Sequence, residues 1–252
     1  MWKLYSPHHN VTRESFARRL GDFDRVALVL EKGTAQLVGF TGIRVKEFNI
    51  QGHGKLGAVC FGQTYILPGY RGQGSIQRAV TRLLFTERIR SPFTRWFFWS
   101  DALSYKPYLV MARNLRDYFP HPEKPTPAIT QALIEAVGEH YYGAAFDRST
   151  GTVIKSDIRL KSHVAPVGAD ERRDPAIQFF VERNPQYVAG HGLIIVCPLS
   201  LRNLATYVHR VVSHALRAHP SQSKRESGLS QVARTVQALS IEKPTHQSDT
   251  VQ

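Results

Sequence analysis

Cysteine, methionine and acidic side chains are scarce in this chain of 252 residues, with 2 Cys, 2 Met and 20 Asp plus Glu against 33 Lys plus Arg. Each scarcity excludes something. Cys60 and Cys197 both lie in apolar, strand-like runs, so they read as reduced core residues and not as a disulfide framework. Two thiols alone make no metal site. The histidines add none, since His209 and His214 stand five apart and diverge by about 140° on a helix. No metal is expected. No run approaches the 18 or so apolar residues of a membrane span, and the start shows no charged-then-apolar leader pattern. A soluble, cytoplasmic protein with no membrane partner is therefore expected. Internal repeats are missing. So are a Walker ending, a Gly-x-Gly-x-x-Gly fingerprint, a helix-turn-helix or RRM signature and a dense Lys/Arg block, so nucleic acid is not the expected partner.

The shortage of acids leaves a net charge of +13. Such a surplus attracts polyanions, or it is simply dispersed over the surface as arginine. Hydrophobic content of 42% and charged content of 21% are ordinary for a folded domain. The length allows one large domain with additions, or two small ones, and a substantial core.

The pattern predicts a short strand at Trp2–Tyr5, then a helix started by Thr12 or Asn10 and ended by Gly21. Strands follow at Arg25–Lys32, Gln36–Ile50 and Lys55–Leu67. Gly39 and Gly42 suggest a bulge or bend in the middle one. The turn after Leu67 holds Gly69, Gly72 and Gly74, and a helix is predicted from Gln73 to Arg90. Ile76, Ala79, Val80, Leu83 and Leu84 share one face of it. Thr94–Ser100 reads as an aromatic strand with Trp96 and Trp99 on opposite sides, and Ser104–Tyr118 as a helix. After the proline-rich run Phe119–Pro127, a helix capped by Thr126 is expected to reach about Tyr141. A strand over Thr152–Leu160 follows, then a short helix started by Asp174-Pro175, a buried strand at Gly192–Cys197 and a helix over Leu199–Leu216. From Arg217 onward the polar composition predicts a disordered tail with a weakly helical run at Leu229–Leu239.

The stretch Tyr65 to Ile76 organises the whole. A strand enters a glycine-rich turn and leaves as a helix. The glycines let backbone N–H groups approach an anion, the helix start adds partial positive charge, and Arg71 adds a mobile one.

Pro68-Gly69-Tyr70-Arg71-Gly72-Gln73-Gly74 resembles the acyl-CoA pyrophosphate loop of the GNAT superfamily of N-acetyltransferases, which reads Arg/Gln-x-x-Gly-x-Gly/Ala. Arg71 and Gly74 match. Ile76 stands where the family has a small residue. The resemblance spans roughly Val11 to Phe119. It implies an α+β fold, a mostly antiparallel sheet of about six or seven strands flanked by helices. It also implies a parallel pair formed by the strand before the loop and the aromatic strand, which splay to receive the pantetheine arm. Residues 1–119 then form the acyl-CoA-binding core. Residues 120–216 form an extension that completes the sheet and shapes the acceptor site, and 217–252 form the tail. The implied activity is transfer of an acyl group, acetyl by default, from acyl-CoA to an amine of a small molecule or protein. Acetyl-CoA is the cosubstrate, held by Tyr65, Ile66, Leu67, Arg71, Gly72, Gln73, Gly74, Ser75 and Ile76. In the family the acid for the leaving thiolate is often a Tyr after the fifth strand, which here points to Tyr108, then Tyr105. The strand before the loop lacks the carboxylate that often serves as base, which leaves Gln63, Thr64, Cys60, Asp101 or a held water. A longer acyl donor, or a binding protein on this fold without catalysis, are the alternatives.

Overall fold

The computed structural model describes residues 1–155 and 157–217. The tail and its run Leu229–Leu239 lie outside the described residues. The chain opens with α1 (Trp2–Tyr5), β1 (His9–Asn10) and α2 (Arg13–Gly21). A strand is predicted at Trp2–Tyr5, but a single helical turn forms. That turn places Trp2 and Tyr5 on one side, where both meet Phe16 at ring-centroid distances of 5.4 and 5.1 Å. α2 starts as expected, with Thr12 Oγ1 accepting the Ser15 N–H at 3.1 Å.

A meander follows, β2 (Arg25–Leu30), β3 (Leu37–Ile50) and β4 (Gly54–Ile66), then the glycine turn and α3 (Ser75–Arg90). Next come β5 (Arg95–Ala102), α4 (Tyr105–Asn114), α5 (Ala128–Tyr142), β6 (Phe146–Asp147), β7 (Thr152–Ile154) and β8 (Arg159–Leu160). The chain ends in α6 (Pro175–Arg183), β9 (His191–Pro198) and α7 (Leu201–Arg217). Seven strands form one sheet in the order β2-β3-β4-β5-β9-β7-β6. Every neighbouring pair is antiparallel except β4 and β5. This is the α+β, mostly antiparallel sheet flanked by helices that the sequence predicts. β9, from beyond the proline-rich run, sits in its middle.

β5 shows how the sheet is covered. Phe97 and Trp99 point to one face and pack with Leu133, Ile134 and Val137 of α5. Trp96 points to the other, against Leu83 and Ala79 of α3. On that second face Tyr108 and Met111 of α4 and Phe180 of α6 meet Leu193, Ile195 and Cys197 of β9. α1 and α2 extend the first face through Tyr5, Phe16 and Phe40. Burying about a dozen such side chains, at roughly 1.5–3 kcal/mol each, is the main force holding the layers together. Cys60 and Cys197 are free and buried in these cores.

Several boundaries differ from the sequence reading. α4 stops at Asn114, short of Tyr118, because Leu115 turns extended and Asn203 Oδ1 takes the amides of Arg116 and Asp117 at 3.0 and 2.8 Å. Thr126 does not cap α5. Pro127 is the first flanking residue, with no side-chain cap. The single strand expected over Thr152–Leu160 is two, β7 in the main sheet and β8 paired with β1. A bulge lies in β3 at Gly39, as expected, since Val29 pairs with Gly39 and Leu30 with Leu37, and a second lies in β4. Phe40 pairs with Tyr65 and Gly42 with Gly62, so β4 carries one residue more at Gln63–Thr64, and Gln63 takes φ +48°. Gly42 and Gly62 serve packing, since the Phe23 ring lies where their Cβ atoms would stand.

Candidate functional site

β4 and β5 stay paired only from Leu56 and Arg95 to Cys60 and Trp99. Beyond that point β4 continues beside β3, while Ser100–Ala102 continues beside β9. The sheet opens into a seam. A cleft of about 2610 Å³ runs through it, lined by Phe61, Tyr65 and Ile66 on one side and Asp101 and Leu103 on the other. The bulge in β4 matters here. It shifts the alternation of β4, so that Tyr65 faces the side of Phe40, Tyr5 and Phe16.

At one mouth stands the glycine turn. Tyr70 donates its O–H to Glu31 of the β2–β3 hairpin, which ties the turn down. Gly72 and Gly74 take φ +76° and +70°, the left-handed region that glycine enters freely. Gly74 is also the flanking residue of α3, so no side chain caps the first amides of that helix. Arg78 donates to the Gln73 carbonyl at 2.7 Å and to Ser75 Oγ at 3.3 Å, and Gln73 Nε2 to the Gly69 carbonyl at 3.2 Å. Arg71 folds back, its Nε donating to the Ile66 carbonyl at 2.9 Å with the guanidinium 5.7 Å from the Tyr65 ring centre. Open amides, two arginines and a positive helix end suit a phosphate. Of the donor residues proposed from sequence, Tyr65, Ile66, Arg71, Gly72, Gly74 and Ile76 line the cleft. Leu67 packs toward Phe40, and Ser75 is buried.

Tyr105 and Tyr108, the acids expected from the resemblance, do not line this cleft. α4 turns Tyr108 into the core at 0% exposure, where its O–H donates to the Pro120 carbonyl at 3.1 Å. Burial drives its ionisation far above the usual phenol range. Tyr105 donates to the Pro166 carbonyl at 3.4 Å. Nearer the seam, the Tyr65 hydroxyl and His8 Nε2 are 2.7 Å apart, with their rings stacked at 4.8 Å. Burial lowers the His8 pKa, helped by the positive charges of Arg71, His163, Lys161 and Lys106, which leaves the imidazole neutral at neutral pH. No spacing in the sequence marks this pair.

The other wall is a polar network that sequence reasoning touched only at Asp101. Its carboxylate pairs with the Lys155 ammonium and accepts the Tyr142 hydroxyl. Lys155, 6% exposed, also donates to the Asp101 carbonyl at 3.3 Å. Burial alone would raise the Asp101 pKa. The charge and hydrogen bond of Lys155, with the Tyr142 bond, outweigh it and hold the group ionised below the usual carboxylate range. Burial pulls Lys155 down despite the Asp101 charge, and pushes Tyr142 well up. Cys60 is likewise pushed far above the thiol range by burial, which leaves it no thiolate to attack with. Among the described residues no helix is long and apolar enough to cross a membrane.

Comparison with known proteins adds little to this geometry. No family model matches the chain, and no curated protein matches it. Five solved chains match. One is described as "AtaT complexed with acetyl-methionyl-tRNAfMet"; it is 12% identical, with 45% of this chain and 79% of that chain covered and a TM-score of 0.32. A likeness of that size carries no argument about what this chain does.

Proposed function

We propose that the chain is an acyl-CoA-dependent N-acyltransferase with acetyl-CoA as the default donor and an amine of a small molecule or protein as acceptor. The observation that carries this reading is the continuity of a phosphate-type turn with an open seam between two parallel strands. The diphosphate sits on the amides around Gly72 to Ile76, beside Arg71. The extended pantetheine arm runs along Phe61–Tyr65, beyond the last β4–β5 pair, where β5 no longer bonds the backbone groups of β4. The thioester then lies inside the open seam, between Phe61–Tyr65 on one side and Asp101–Leu103 on the other.

The acceptor enters from the α5 side. Its nitrogen attacks the thioester carbon, an N–C bond forms, the C–S bond breaks, and the thiolate takes a proton. Tyr65 is the phenol placed to give that proton, and it recovers one from solvent through His8. The acceptor reaches the carbon as the free amine, having lost one proton to water, and water takes the second as the amide forms. Asp101, already paired with Lys155 and Tyr142, orders this wall. The full chain titrated calorimetrically with acetyl-CoA and CoA, followed by thiol release over a panel of amines, tests the reading. Absence of any CoA or acetyl-CoA binding overturns it and leaves a binding protein without catalysis.

A further inference from the structure

Arg44 is a cation of the α5-side wall with no ion pair or hydrogen bond to an acid among the described residues, and the Asp101 charge acts on it only through space. It stands on β3 opposite Cys60 and lines the cleft. Its guanidinium lies between two rings, 4.7 Å from the centre of Phe23 and 4.7 Å from that of Tyr141. Its Nε is buried with no hydrogen-bond partner. The neighbouring cations are satisfied differently. Arg19 donates to Asp157 at 2.8 Å, and Lys155 pairs with Asp101. The nearby acids are occupied as well. Asp101 serves Lys155 and Tyr142, and the Asp24 carboxylate accepts the Val45 N–H at 2.7 Å.

A guanidinium removed from water without a carboxylate is costly. The two rings offset part of that cost and fix the plane of the fork. Phe23 can lie where it does only because Gly42 and Gly62 have no Cβ beneath it, so the sandwich is built into the sheet. A flat, immobilised fork with vacant donors is the geometry that binds a carboxylate or phosphate through two parallel hydrogen bonds. Lys46 and His140 sit beside it, and the charges of Lys46 and Arg44 help burial lower the His140 pKa.

We infer that Arg44 is a specificity-determining residue, and that the acceptor is an amine carrying an oxyanion, a carboxylate or phosphate, which Arg44 binds while the amine end reaches the seam. The inference rests on the acyl-transfer reading for the donor alone. It also gives one use for the chain's surplus of positive charge.

The test uses the full chain in two stages. Titration with CoA first tests the donor reading by itself. CoA-saturated protein is then titrated with two matched pairs, O-phosphoethanolamine against ethanolamine and β-alanine against β-alaninamide. The anionic member of at least one pair is expected to bind about tenfold or more tightly than its neutral partner, the scale of charge-assisted hydrogen bonds. The pair that shows the preference distinguishes phosphate from carboxylate. Arg44→Gln is expected to erase the preference and leave CoA affinity within about twofold. Should that variant melt early, Arg44→Lys, which keeps the charge but not the fork, is expected to lose most of the preference with its fold intact. Equal affinity, or no binding, of both members by wild-type protein that binds CoA overturns the inference and spares the donor reading. A preference that survives both substitutions overturns the role of Arg44.

Discussion

Tyr65 and His8, separated by 57 positions, share a 2.7 Å hydrogen bond at the edge of the open seam. The bulge at Gln63–Thr64 makes this possible, because without the extra residue Tyr65 would face α3. Tyr65→Phe removes the hydroxyl and keeps the ring contacts with His8. It is expected to lower kcat by about 10²-fold or more, the usual worth of a positioned acid, with acetyl-CoA affinity little changed. An unaltered kcat in steady-state thiol-release assays would remove Tyr65 from the acid role.

Asp101 and Lys155 form the buried pair of the acceptor wall. Asp101→Asn leaves the ammonium buried beside a weaker partner, so a loss of about 3–5 kcal/mol is expected from urea unfolding. Lys155→Met in the same background removes the orphaned charge and should recover a good part of it. Additive losses in this double-mutant cycle would show that the two groups are not coupled.

Phe23 and Gly42 give a packing test. A Cβ at position 42 would run into the Phe23 ring, and one at 62 would stand 2.8 Å from it. Gly42→Ala should therefore cost about 1–3 kcal/mol by overpacking. Adding Phe23→Leu, which vacates the ring volume, should return part of it. If Gly42→Ala unfolds at the same urea concentration as wild type, the glycine is not there for Phe23.

His9 supplies a pH signature. Its ring stacks on Tyr5 at 3.8 Å, and burial brings its pKa down to about 4, against the raising effect of the bond to the Tyr5 carbonyl. The folded value lies below the unfolded one of about 6.5, so the unfolded chain binds more protons between them. This contribution is complete above pH ~6.5 and is lost as the pH falls toward 4, amounting to at most roughly 3 kcal/mol. Melting temperatures of wild type and His9→Phe over that window check it. The variant should show the flatter acid limb, and parallel limbs would contradict the assignment.

Local signals carried much of the architecture. Thr12 and Asp174 announce their helix starts through short polar side chains, and both accept the expected backbone N–H groups. The strand–turn–helix order around Gly72 and Gly74 fixed the parallel neighbour, which is β5. What stayed hidden depends on long-range packing. Gly39 marks a bulge in β3 as expected, yet Gly42 makes room for Phe23, and a second bulge lies across the ladder in β4. The resemblance pointed to Tyr108 as the acid, but the facing of a helix is set by what it packs on, here Phe180 and Tyr118. Arg44, Asp101 and Tyr142 come from three elements and Lys155 from the loop after β7, and they meet only once the sheet has opened.

The glycine turn yields the sharpest separation of causes. A Cβ at Gly72 would meet nothing within 4 Å, and one at Gly74 only Arg78 Nη1 at 3.5 Å. Neither glycine is thus required by protein contacts, and two reasons remain, the left-handed backbone and the space a phosphate would fill. Alanine at either position costs about 1–2 kcal/mol through the backbone alone. Asparagine tolerates that conformation, so Gly72→Asn should melt near wild type. If the space belongs to a diphosphate, Gly72→Asn and Gly74→Val should weaken CoA binding more than Arg71→Ala. Loss of Arg71 removes one exposed, partly engaged charge worth roughly 1 kcal/mol, about fivefold in affinity. Ile76→Ala, at the cleft wall, should keep or tighten CoA binding if the isoleucine crowds the site. Calorimetric titration with CoA beside melting curves reads both quantities. A Gly72→Asn protein that melts and binds CoA like wild type would mean that the turn's amides do not hold the diphosphate.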